Sequence, residues 1–71
     1  MPQKLFLHEA ISLVLDTEGR ALSTTSIAAL VNARALYLRG DLRPVRASQI
    51  SARIRHHANL FSVENKLVSL R

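Results

Sequence analysis

The chain has 71 residues, 48% of them hydrophobic, no cysteine and a formal net charge of +5. That length allows one domain near the lower size limit for unaided folding, and the apolar share is enough for one compact core. The lack of cysteine excludes a disulfide framework and a thiolate metal site, and no apolar run approaches the ~18 residues of a membrane span.

The opening MPQKLFLHEA has one lysine and breaks quickly to His-Glu, unlike a signal peptide, so the expected location is intracellular. Residues 7–18 read as a helix. At about 100° per residue, Leu7, Ala10, Ile11 and Val14 share one face, and His8, Glu9, Ser12 and Asp16 the other. Leu13 and Leu15 are expected to widen the apolar face. Gly19 suits the position just past a helix end. Residues 20–23 form a short bridge with a residue or two of strand. The run Ser23 to Ser26 offers N-caps for a second helix reaching about Ala33. Ile27, Leu30 and Val31 form its buried stripe, with Ala28 at the margin and Ala29 and Asn32 pointing elsewhere.

Residues 34–45 read as a long loop with turn signals at Gly40-Asp41 and Arg43-Pro44, anchored by Leu36, Tyr37 and Leu38. Pro44 disfavours helical backbone at Arg43, so the third helix follows it and spans about 46–58. Ala47, Ile50, Ile54 and Ala58 form its inner side, with His57 at the edge. Ser48, Gln49, Ala52, Arg55 and His56 lie outward, and Arg46 and Arg53 sit on one flank. The tail reads as a hairpin turning at Glu64-Asn65-Lys66, where asparagine tolerates positive φ. Phe61, Val63, Leu67 and Leu70 are expected to close the core. The predicted order is helix, short strand, helix, helix, strand, strand. This is an α+β winged helix-turn-helix filling residues 1–71 as a single domain.

The charge is unevenly distributed. From Leu42 to Val63 there is no Asp or Glu, while Glu9, Asp16 and Glu18 fall in the first helix beside only one upstream lysine, Lys4. A helix that lies in the DNA major groove must be apolar on one side and free of anions on the other, because binding rests on neutralised phosphates and released counterions. The third helix meets both demands. Gln49 can pair with adenine and Arg53 with guanine, and Ala52 is small enough for close approach. Arg43, Arg46, Arg55, His56 and Lys66 suit backbone phosphates, and Ser48 is either a phosphate donor or a plain N-cap. The plain alternative for each is a solvated surface side chain.

Other chemistry is poorly represented. The three histidines make no metal set: His56 and His57 point about 100° apart on a helix, His8 is distant in sequence, and no cysteine or paired carboxylate joins them. His57 reads as a packed histidine. Glu9, Asp16 and Glu18 read as a solvated face. With only Gly19 and Gly40 there is no glycine-rich phosphate loop, and there is no nucleophile motif. No catalytic residue, metal or cofactor is expected, and the chain is not read as an enzyme.

The stretch HEAISLVLDTEGRALSTTSIAALVNARALYLRGD, then SQISARIRHHANLFSV and a final strand, resembles the HARE-type helix-turn-helix family. The matching features are Gly19-Arg20-Ala21-Leu22, Ser26-Ile27-Ala28, Ala35-Leu36-Tyr37, Ile50-Ser51-Ala52-Arg53-Ile54 and Leu60-Phe61. The likeness covers nearly the whole chain; the Leu-Tyr pair and the ISARI run are its more specific parts. The sequence departs from the family in its wing turn, which lacks glycine, and in opening the third helix with Val45-Arg46 rather than Thr-Pro. The family is found fused to restriction endonucleases, DNA-modifying proteins and chromatin regulators, and in the delta subunit of bacterial RNA polymerase. The resemblance implies a double-stranded DNA-binding module, cytoplasmic and nucleoid-associated. It also implies the targeting part of a larger restriction-type or DNA-processing polypeptide. The chain is read as a monomeric module. The alternative partner is another protein, docked through Leu5, Phe6 or Leu38.

Overall fold

A computed structural model describes residues 5–37 and 44–71. The expected Gly40-Asp41 turn, the Leu38 anchor and Arg43 lie outside the described residues. Three helices and an antiparallel hairpin follow one another: α1 Leu7–Glu18, α2 Thr24–Ala33, α3 Ala47–His56, β1 Phe61–Glu64 and β2 Leu67–Leu70. With a single bridging residue between α1 and α2, this is the predicted winged helix-turn-helix order. No helix among the described residues is long and apolar enough to cross a membrane.

The helix ends explain themselves locally. At the start of α1 the Phe6 N–H donates to Glu9 Oε1 at 2.9 Å, which satisfies one orphan donor and sets a carboxylate in the first turn. At its end Gly19 takes φ 67°, and its N–H donates to Leu15 O at 2.9 Å. Ser23 caps α2, its Oγ accepting from Ser26 N–H at 3.2 Å. Beyond α2 the Ala35 N–H donates to Asn32 O and the Leu36 N–H to Val31 O, with Ala35 at φ 51°. That pairing is a Schellman closure with alanine where glycine is the usual occupant. It folds Leu36 back against the core.

Every element contributes to one core. Ile11 and Val14 of α1, Ile27 and Val31 of α2, Ile50 of α3 and Val68 of β2 are all below 2% exposed. Leu15 joins them, but Leu13 does not: it stays 42% exposed on the outer side of α1. The third helix stops at His56, so Ala58 lies in the following turn and is exposed rather than buried. His57 supplies the helix end, its N–H donating to the carbonyls of Arg53 and Ile54.

The hairpin pairs Phe61 with Leu70 and Val63 with Val68. Asn65 and Lys66 both take positive φ, 53° and 65°, giving the tight two-residue turn whose twist matches the strands. Because side chains alternate across a strand, this register puts Phe61, Val63, Val68 and Leu70 on one face and Leu67 on the other. Phe61 and Val68 are buried there. Val63, Leu67 and Leu70 remain 40–58% exposed, against the expectation that they seal the core. Besides its packing, an isolated bridge ties the hairpin to the rest: Leu22 N–H to Val68 O at 2.9 Å, and Val68 N–H to Leu22 O at 2.7 Å.

One side chain fixes α3 against α2. The Asn32 amide donates to Val45 O and accepts from Val45 N–H, both at 2.9 Å. This closes both backbone groups of the buried Val45, two residues before α3. Asn32 has a bracing role that helical periodicity alone did not reveal.

Candidate nucleic-acid interface

The apolar side of α3 is Ile50 and Ile54, buried against α1 and α2. What remains is set by helical geometry. Ser48, Ala52 and Arg55 run down the opposite side, with Gln49 and His56 beside them and Arg46 and Arg53 on one flank. Arg46, Ser48, Arg53, Arg55 and His56 are exposed; Gln49 and Ala52 are half-buried.

The electrostatics of this side are unopposed. Among the described residues the ion pair present is Arg34 to Glu18, at 2.8 Å, on the flank where α1 and α2 end. Among the described residues no carboxylate holds Arg46, Arg53 or Arg55. Charge at their guanidinium groups is therefore available to an outside anion.

Gln49 carries a duty of its own. Its Oε1 accepts from Arg46 N–H at 2.9 Å, closing the first turn of α3. A two-point contact to adenine uses that same oxygen, which has a second lone pair for it beside the cap bond. Ser48 makes no cap bond at the N-terminus of α3; Arg46 occupies the cap position.

The hairpin stands beside α3 and the two enclose a cleft of about 480 Å³. Ile54, Val63 and Val68 form its apolar lining. Ser51 and Arg55 from α3, Thr24 from the start of α2 and Lys66 from the turn form its polar rim. Arg55 and Lys66, distant in sequence, are thus brought to one opening. Arg43 lies outside the described residues.

One arrangement has no local signal in the chain. The rings of His8 and His57 stack with centroids 4.1 Å apart and planes 22° apart, and Phe6 stacks on His8 at 5.9 Å. The start of α1 thereby meets the end of α3. Loss of water around the His57 ring holds its pKa below the usual imidazole value, helped by the nearby charges of His8, Arg53 and His56. Rings lying face to face direct their in-plane lone pairs apart, which does not suit a shared metal ion. Among the described residues no group of three or more metal-ligating side chains is gathered.

Of the apolar residues expected to serve protein docking, Leu5 packs against the core, Phe6 is 68% exposed but stacked on His8, and Leu38 lies outside the described residues. Compared with family models, curated proteins and solved structures, the chain matches none of them.

Proposed function

We propose that the chain is a double-stranded DNA-binding module, with α3 entering the major groove and the hairpin lying along the adjacent backbone. One observation carries this reading: exposed Arg46, Arg53 and Arg55 on α3, with no carboxylate partner among the described residues, on a helix whose other side is sealed into the core. Arg53 is the base-reading candidate on the flank, while Arg46, Arg55, His56 and Lys66 serve phosphates. Ala52, half-buried at the centre of the outward side, leaves room for close approach. The HARE-type resemblance supports the same reading and suggests a targeting part of a restriction-type or other DNA-processing protein, acting at the nucleoid. The chain supplies binding, not catalysis.

Phosphate contacts from Arg46, Arg55 and Lys66 give a slope of log affinity against log salt of about −2.7, and a roughly fortyfold loss between ~50 and ~200 mM salt. Fluorescence anisotropy on labelled duplexes measures this. A flat salt response, or no binding at ~50 mM salt, removes the proposal. Arg53→Ala should cost ~1–3 kcal/mol and relax preference at one base pair, whereas Lys66→Ala should weaken all duplexes alike and lower the slope by about 1. If the two variants behave identically, Arg53 is a phosphate ligand and not a reader.

A further inference from the structure

The cleft between α3 and the hairpin has a mixed lining that a sugar-phosphate strand only half satisfies. Arg55 and Lys66 suit any anion. The apolar part does not: Val63 is 58% exposed there, beside Ile54 and Val68. Ile54 and Val68 are buried and form the floor, so the surface left open is that of Val63, and a phosphodiester has no apolar projection to cover it. A peptide side chain does, and the cleft volume of about 480 Å³ falls within the range of ordinary ligand clefts.

The charge pattern narrows the occupant further. Strand alternation places Val63 and Val68 on the cleft side of the hairpin and turns Glu64 to the other side. No carboxylate lines the cleft among the described residues, and its two charged groups are both cations. We infer that this cleft docks an acidic peptide segment carrying one large apolar side chain. That side chain covers Val63 above the buried floor of Ile54 and Val68, and the flanking carboxylates meet Arg55 and Lys66, with Ser51 and Thr24 offering hydroxyls to the peptide backbone. The cleft as a docking site stands without the DNA reading. Only its corollary, that peptide and duplex compete for Arg55 and Lys66, rests on that reading.

The test is an amide-shift titration of the full chain with a short synthetic peptide having one central phenylalanine flanked by aspartates and glutamates. Shifts are expected at Thr24, Ser51, Val63 and Lys66. Alanine in place of the peptide's phenylalanine should weaken binding by about tenfold or more, the worth of one buried aromatic side chain. Val63→Ser, at an exposed position that leaves the fold intact, should weaken it several-fold. Arg55→Glu and Lys66→Glu should do the same and remove the salt sensitivity. Unlabelled duplex should displace the peptide.

Absence of shifts at the cleft overturns the inference. So does equal binding of the alanine peptide, since that leaves simple ion attraction. If duplex shifts the cleft resonances and the peptide does not, the cleft is a phosphate track and the DNA reading alone survives. If the peptide binds as described and duplex neither binds nor displaces it, docking survives and the DNA reading falls.

Discussion

Replacing Asn32 with alanine isolates the brace between α2 and α3. The substitution removes two hydrogen bonds of 2.9 Å and leaves both backbone groups of Val45 without their side-chain partner. Val45 itself is only 4% exposed. A neutral hydrogen bond is worth about 1 kcal/mol net, and a buried group left unpaired costs ~1–3 kcal/mol. The Asn32 side chain lies at the solvent edge, so water reaches part of the gap. The expected loss is therefore about 2 kcal/mol, close to the two bonds alone. A domain of this size has roughly 4–10 kcal/mol of total stability, so the change is large. Urea unfolding should show a lower midpoint with unchanged slope, and the melting temperature should fall by roughly 8–16 °C. Hydrogen exchange at Val45 should quicken more than exchange at Ile11 in α1. Asn32→Asp keeps the acceptor but sets its second oxygen against the Val45 carbonyl, so it should fare no better than alanine near neutral pH. A midpoint within ~0.5 kcal/mol of the parent, with Val45 exchange unchanged, refutes the bracing role.

Three further outcomes follow from backbone and ring geometry. Gly19→Ala should destabilise and Ala35→Gly stabilise, each by about 1 kcal/mol in urea unfolding, because both sites are left-handed and a Cβ at Gly19 meets nothing within 4 Å. Lys66→Gly should stabilise by up to ~1 kcal/mol through the turn while weakening DNA binding, so that stability and affinity move in opposite directions. For His57 the folded pKa is depressed, so the unfolded chain takes up its proton first. Stability should hold above the ordinary imidazole value of 6.5 and fall as pH drops through it towards the folded value. Ring-proton titration by NMR should place His57 below 6.5, and His8→Gln should shift it back upward.

The legible parts of the fold were those governed by neighbours in sequence. Apolar spacing and Gly19 marked α1, Ser23 marked the start of α2, and Asn65 marked the hairpin turn. The hairpin register was harder. Once the turn is limited to Asn65 and Lys66, Val68 faces Val63 and takes the core position expected for Leu67. What local pattern leaves out is the reach of side chains to the backbone. Gln49, the adenine candidate, also closes its own helix turn. Asn32 was placed on an idle face, yet it holds a residue far along the chain. The His8–His57 stack depends on how α1 crosses α3, which no local pattern records. The arginines of α3 were readable because charge needs only a side of a helix, not a partner, to be recognised.

The rung between Leu22 and Val68 has a consequence for the timing of folding. The residue that completes the interior also sits in the last strand, so the three helices cannot enclose their apolar sides until almost all of the chain is available. Closure links segments far apart in sequence, which slows assembly relative to a purely local bundle. A nascent chain emerging from the ribosome should therefore stay protease-sensitive until β2 is free, and then become resistant in a single step.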